Sequence, residues 1–292
     1  MRGAALMAGA MTAFTVNDAC MKALSDVLPL SQALFLRGLA TTILLGVALV
    51  GLGLWPAPLP RRDWGLILVR SVAELLAAWL FLTALFNMPL ANVSAILQAL
   101  PLAVTLAGAV IFREPVGWRR LSAIGVGFLG VLMIVRPGAE GFTIYSVYAL
   151  GAVAAVTVRD LAARRMSARV PSLLVALSAS VAVTAFFGAR AAAIDWAPVG
   201  GAEFWQLAGA TGFVVIGYVC SVAAMRAGEI GFVAPFRYVS LLVALVLGFA
   251  VFGDWPRPLT LLGAAVVVGT GLFTLYRERS LPRRAPAGLR MR

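Results

Sequence analysis

Ten apolar runs, each close to 20 residues and parted by short basic turns, dominate this chain of 292 residues. They fall at Ala4–Leu24, Ser31–Leu54, Trp64–Phe86, Pro89–Phe112, Trp118–Val135, Phe142–Asp160, Pro171–Arg190, Phe204–Met225, Gly231–Phe252 and Leu259–Tyr276. A helix needs about 20 apolar residues to cross the hydrocarbon core of a bilayer. In lipid, only helices and closed barrels satisfy their own backbone hydrogen bonds. The predicted fold is therefore all-α and integral to a membrane, with ten transmembrane helices. Composition agrees, at 62% hydrophobic and 12% charged residues with a mean hydropathy of +0.96. Soluble domains carry about 25% charged residues, so a soluble enzyme is excluded.

Further classes fall on residue counts. Cys20 and Cys220 are the only cysteines and lie inside apolar runs, which rules out a disulfide scaffold. Histidine is absent, and with it go Ser-His and Cys-His dyads, HExxH zinc sites and an imidazole proton relay. No catalytic residue, metal or cofactor is expected. The phosphate loop Gly-x4-Gly-Lys-Ser/Thr is missing, and Lys22 is the sole lysine. Arg2 and the first apolar run resemble a signal peptide, but the run is long, carries Asn17-Asp18, and leads straight into a second span. It reads as a true first helix.

Basic residues set the expected orientation. With the N-terminus in the cytoplasm, seventeen of the 24 fall inside and four outside, while Arg37, Arg70 and Arg237 lie within spans. Both termini are thus expected to be cytoplasmic, in a bacterial cytoplasmic (inner) membrane. The +12 net charge is explained by topology and anionic lipid, without a nucleic-acid partner.

The two halves resemble each other. Asp18-x3-Lys22-x6-Pro29 recurs as Asp160-x3-Arg164-x6-Pro171, Phe112-Arg-Glu114 as Phe252-Gly-Asp254, and Leu121-Ser-x-x-Gly125 as Leu259-Thr-x-x-Gly263. The predicted organisation is a five-helix repeat over 1–140, a second over 141–280, and an Arg/Pro-rich cytoplasmic tail over 281–292. Five is odd, so the second repeat enters the membrane inverted. Inverted repeats suit secondary transporters, because exchanging the conformations of two equivalent halves turns a cavity from one face to the other. A duplicated bundle without a transport role is the plainer alternative.

On these residues the chain resembles the drug/metabolite transporter superfamily, in its ten-span EamA-type branch. The likeness is carried by Asn17-Asp18 with Lys22, Leu34-Phe-Leu-Arg37-Gly38, Pro101, Glu114-Pro115, Gly125 and Gly130, with echoes at Asp254, Gly263 and Gly269. Within the branch it looks most like the YddG-type exporters of aromatic and other amino acids. The resemblance implies ATP-independent efflux of small metabolites, a cavity lined by spans one, three, four, six, eight and nine, and peripheral spans five and ten. An amino-acid exporter working by alternating access is the leading expectation. A carrier or flippase for nucleotide-bearing metabolites or lipid headgroups is the alternative, which the single well-placed Arg237 disfavours. An intramembrane enzyme ranks last.

Charges at membrane depth are costly and so tend to be interior and functional. Asp18 shares a helix face with Thr15 and Lys22 and is either a gate or substrate contact, or half of a pair with Lys22 or Arg37. Glu74, one turn from Arg70, is either a proton carrier or a salt-bridge partner. Arg237 is either a carboxylate clamp or a partner for Glu74. Ser94, Gln98, Pro101 and Thr105 share one face of span four. Pro101 frees the carbonyl of Leu97, and Pro235 frees that of Gly231 in span nine. The Gln98 face is expected to line the pathway, with gates near Pro101 and Pro235. Trp79, Tyr148, Tyr218 and Tyr238 are candidate ring contacts, whereas Tyr145, Trp64, Trp118, Trp205 and Trp255 suit an interfacial belt. Gly125, Gly127, Gly130, Gly263, Gly269 and Gly271 suit either a homodimer seam or packing inside the chain.

Overall fold

The computed structural model describes residues 2–54, 58–113, 117–136, 143–167, 169–227 and 234–280. Every predicted span is helical there. The first three are α1 (Arg2–Ala23), α2 (Leu30–Gly51) and α3 (Arg61–Asn87). The fourth is split into α4 (Leu90–Leu97) and α5 (Leu100–Phe112). Then come α6 (Trp118–Val135), α7 (Ile144–Arg165), α8 (Ser172–Ala191) and α9 (Gly201–Ala227). The ninth span opens with a 3-10 turn, Ala234–Tyr238, and continues as α10 (Val239–Phe252); α11 (Pro258–Ser280) is the tenth. The tail from 281 and the 140/141 repeat boundary lie outside the described residues, as do Glu114 and Pro115.

Prolines start these helices. Pro29, Pro60, Pro89 and Pro171 immediately precede α2, α3, α4 and α8. A proline has no N–H to leave unsatisfied at a helix start, and its fixed φ prepares the first turn. Left-handed residues stop them. Arg113 (φ 54°) ends α5 and Gly253 (φ 69°) ends α10, at the sequence positions that the Phe112 and Phe252 motifs align. After Gly253 the Asp254 N–H donates back to the Gly248 carbonyl at 2.9 Å, closing the last turn.

Among the described residues, eight helical stretches are long and apolar enough to cross a membrane alone; α1 and α6 are not among them. The apolar part of α6 is only Leu121–Val135, because Arg119 and Arg120 begin it. α1 packs along α9, while its polar Thr15, Asn17 and Asp18 face a central cavity, Thr15 bonding Ser240 and Asn17 bonding Arg37. Elsewhere α3 lies along α7, α2 along α8, and α6 along α11. Large apolar side chains such as Val50, Val110, Val246 and Phe249 point outward, as lipid requires. Trp64, Trp118, Trp205 and Trp255 are exposed near helix ends, where amphipathic rings meet the headgroups.

The sixth span departs from expectation. It runs on to Arg165 instead of stopping at Asp160, so Arg159 and Asp160 sit inside a helix and not in a cytoplasmic turn. Alanine-rich Leu161-Ala162-Ala163 continues the helix past the charges, and α3 packed alongside supplies Glu74 as a partner for Arg159.

Four of the six glycines on α6 and α11 are packed within the chain. A Cβ on Gly263 would come within 2.6 Å of the Gly130 carbonyl oxygen, and one on Gly130 within 2.9 Å of the Gly263 oxygen. α6 and α11 therefore touch backbone to backbone. A Cβ on Gly127 would meet Leu102 and Thr270, and one on Gly271 the Tyr238 hydroxyl, while Gly125 and Gly269 face open space. Gly263→Val is expected to force the two helices apart and cost about 1–3 kcal/mol. A lowered unfolding temperature checks this, with Gly269→Val as a near-silent control.

Candidate functional site

A cavity of about 1330 Å³ opens between the two halves. Its walls come from α1 (Phe14, Asp18), α2 (Arg37, Leu45), α3 (Arg70, Glu74), the α4–α5 break (Gln98, Pro101), α7 (Arg159), α9 (Tyr218) and the turn before α10 (Arg237). The α8 residues Val175 and Ala176 also contribute, and so do Ala163, Met166, Ser167, Arg169 and Val170 around the α7–α8 connection. Among the described residues, none of α6 or α11 lines it. The resemblance did not include spans two and seven in the lining; the structure does.

The cavity reaches one face only. Its lining runs out to Leu52 and Leu54 after α2 and to Arg169 before α8, on the face where α1 begins. Toward the other face it stops at Asp18, Leu82, Ser94 and Val214. Beyond them a buried apolar cluster fills the space, built from Met21, Leu24, Leu34, Leu85, Leu90, Phe187 and Leu207. Buried leucine, methionine and phenylalanine packed against one another exclude both water and solute.

Pro101 produces the break in span four. As the second residue of α5 it offers no N–H to Leu97, and α4 ends there. Gln98 and Ala99 fall in the gap between the two helices. Gln98 Nε2 donates to Ser240 Oγ at 3.0 Å, and that hydroxyl donates to the Arg237 carbonyl at 2.9 Å. Thr15 Oγ1 on α1 reaches the Ser240 carbonyl at 3.5 Å as well as that of Met11 at 2.9 Å. The broken part of span four is thus tied to the irregular start of span nine. Gln98 and Ser240 are 142 residues apart, the same separation as Asp18 and Asp160. Thr42 and Thr184, also 142 apart, bond directly at 3.1 Å between α2 and α8. Pro235 lies in the 3-10 turn, but Gly231, whose carbonyl it would free, is outside the described residues.

The charged groups pair only in part as the sequence suggests. Glu74 takes Arg159 across α3 and α7 at 3.2 Å and meets its neighbour Arg70 only at 3.9 Å. Arg237 is therefore not its partner. Asp18 forms no ion pair within 4 Å among the described residues, neither with Lys22 nor with Arg37. It accepts from Asn17 Nδ2 at 2.9 Å, and Arg37 Nη1 donates to Asn17 Oδ1 at 3.2 Å. A neutral amide stands between the two charges.

Ser94, Gln98, Tyr218, Arg237, Asp18, Glu74 and Pro101 all face the cavity. Four candidates do not line it, Pro235 of the 3-10 turn being one. Trp79 is 37% exposed and lies against Phe186 of α8, facing outward. Tyr148 packs edge-on to Tyr145 and against the core shared by α4, α6 and α10. Tyr238 is buried with its hydroxyl unbonded, close to Gly271. Arg159 is the residue that sequence reasoning missed. The repeat held the signal, since aligning Asp160 with Asp18 places Arg159 beside Asn17, inside a span.

Residues 1–136 match the EamA-like transporter family. The chain is 27% identical over 264 residues to the pseudopaline exporter CntI of Pseudomonas aeruginosa, covering 87% of this chain and 89% of that one. It is 27% identical over 228 residues to a riboflavin transporter of Vibrio cholerae, covering 77% and 76%. It is 24% identical over 198 residues to an S-adenosylmethionine uptake transporter of Rickettsia conorii, covering 67% of this chain and 66%, just under two thirds, of that relative. A crystal structure sharing 18% identity superposes with a TM-score of 0.63, covering 95% of this chain and 99% of that one. It shows the fold.

Proposed function

From a first half that carries the EamA-like transporter pattern, we propose that this multi-pass membrane protein is a secondary transporter. It moves small metabolites, amino acids among them, across a bacterial cytoplasmic membrane by alternating access. The cavity carries this reading: walled by both halves, polar at mid-depth, open to one face and shut by packed apolar residues at the other. With the N-terminus in the cytoplasm, as the arginine distribution favours, the open face is the cytoplasmic one and the state is inward-facing. The relatives named above, which take up or export metabolites, support the same class.

The two halves of the chain act as inverted repeats in this proposal. Bonds between residues 142 apart, Gln98 to Ser240 and Thr42 to Thr184, support a pseudo-two-fold axis through these contacts. Exchanging the conformations of the halves would loosen the Leu24–Phe187 cluster and close the mouth near Arg169. The breaks at Gln98 and at the start of α10 let spans four and nine bend in this motion. Four of the six glycines on α6 and α11 pack inside the chain, while Gly125 and Gly269 stay open to a homodimer seam.

Counterflow in proteoliposomes tests the transport reading. Vesicles preloaded with an unlabelled metabolite panel should accumulate the matching labelled compound saturably, for at least one member. Gln98→Ala should lower that flux about tenfold, the loss of roughly 1.4 kcal/mol in the transporting complex, while the protein elutes and unfolds like the parent. No saturable flux for any panel member, from folded protein, overturns the proposal.

A further inference from the structure

The apolar plug and the open mouth occupy matching positions in the chain. Thr42 and Thr184, 142 residues apart, bond between α2 and α8, and Ser180 Oγ donates at 3.5 Å to the carbonyl of Gly38 at the same separation. The helix ends keep this register: α1 stops at Ala23 and α7 at Arg165, α2 starts at Leu30 and α8 at Ser172. On it, the plug residues Met21, Leu24, Leu28 and Leu34 fall on Ala163, Met166, Val170 and Ala176, and Phe187 falls back on Leu45. The five plug residues are at most 2% exposed. All five counterparts line the open cavity. Ala33 of the plug follows the same pattern with Val175, whereas Ala19 and Val183 fall on Leu161 and Thr41, which are buried away from the cavity.

Resting on the reading of the chain as a transporter with inverted halves, we infer that Ala163, Met166, Val170, Ala176 and Leu45 are the gate that shuts the present mouth in the opposite state, and that it is the weaker of the two gates. Exchanging the conformations of the halves carries each position into the surroundings that its counterpart has now. The open-side residues then converge as Met21, Leu24, Leu28, Leu34 and Phe187 do here. They are apolar, as a seal requires, but smaller. The plug sets methionine, three leucines and phenylalanine where the mouth sets two alanines, methionine, valine and leucine. Apolar contact stabilises in proportion to the area removed from water. Turning the cavity over therefore exchanges a larger buried surface for a smaller one. The unloaded carrier rests with the face where α1 begins open, and a cargo overcomes that bias only by binding the opposite state better.

One cysteine inside the cavity reads both gates. Ala78 of α3 lines the cavity and is half-buried, so the probe is Ala78→Cys in a Cys20→Ser/Cys220→Ser background. A membrane-impermeant maleimide is applied to sealed vesicles of either orientation. The parent should label at least tenfold faster from the open face. Ala163→Met/Ala176→Leu gives the weaker gate the bulk that the plug has at Met21 and Leu34. It should slow labelling from the open face at least tenfold and speed it from the other face, because shutting one gate releases its counterpart. Met21→Ala/Leu34→Ala should speed labelling from the closed face too. If that plug variant fails to fold, the enlarging variant still decides, since both of its positions lie at the cavity surface. Slower labelling from the open face with no gain from the other overturns the inference, because the added bulk then merely fills the mouth. Equal labelling of the parent from both faces also overturns it. Counterflow of the metabolite panel separates the two readings. Flux in the parent without the gain in closed-face labelling leaves transport standing and removes this gate; no flux for any panel member removes transport and the gate with it.

Discussion

Arg159→Leu is expected to lower stability by about 1–3 kcal/mol, below the ~3–5 kcal/mol of a dry buried pair because this one borders a water-accessible cavity. It is also expected to abolish most transport. The leucine strips Glu74 of its 3.2 Å partner and Asp160 of its 2.9 Å partner, leaving Glu74 with Arg70 at 3.9 Å and two under-compensated carboxylates at membrane depth. Adding Glu74→Gln should restore part of the stability, because the charge orphaned by the first change is then gone. That recovery is the coupling a double-mutant cycle reads. It should not restore flux if the pair shapes the cavity wall between α3 and α7. Denaturation midpoints for the four proteins, beside counterflow rates, check both halves. Strictly additive losses would mean that Arg159 and Glu74 act independently, against the geometry.

Gln32→Leu should be the most damaging change on the closed face. Gln32 is fully buried at the start of α2. Its Nε2 donates to the Ala197 carbonyl at 2.7 Å and its Oε1 accepts the Ala197 N–H at 2.9 Å. One amide side chain thus satisfies both backbone groups of a residue in the α8–α9 connection. A leucine leaves both unpaired, at about 1–3 kcal/mol each. The connection sits over the apolar plug, against which Cys20 of α1 is packed. Loss of the clamp should therefore also raise labelling of Cys20 by a membrane-impermeant maleimide applied from that face, in a Cys220→Ser background. Gln32→Glu keeps the acceptor but loses the donor, and should fall between. Unchanged labelling at a lowered midpoint would restrict Gln32 to a purely structural role.

The residues most readable in the sequence were those whose effect is local. Pro101 breaks span four because its ring and missing N–H act on its own turn, whatever lies across the bundle. Pro29, Pro60, Pro89 and Pro171 start helices for the same reason. Gln98, Ser94 and Tyr218 were found because an apolar span carries few polar groups, and lipid cannot accept them. What misled was pairing. Asp18 and Lys22 share a helix face, yet the α1 carboxylate bonds the Asn17 amide. Arg159 looked like a loop residue because a charge pair usually ends a span, yet Glu74 comes from a helix 85 positions away. Trp79 looked like a substrate contact because of its span, but its ring packs on Phe186 at the outside.

By itself the sequence determined that the chain is a ten-span helical membrane protein, since hydrocarbon thickness fixes the run length and unpaired backbone is not tolerated in lipid. It also carried the two-fold likeness that relates Asn17-Asp18 to Arg159-Asp160. Only the tertiary structure decided which charges neutralise one another, which face the cavity reaches, and how many arginines surround it. The reason is physical. Span formation depends on the transfer energy of adjacent residues, which is additive along the chain. Charge pairing depends on distance between helices remote in sequence, and a rotation that moves one guanidinium a few ångströms exchanges a partner for an open cavity.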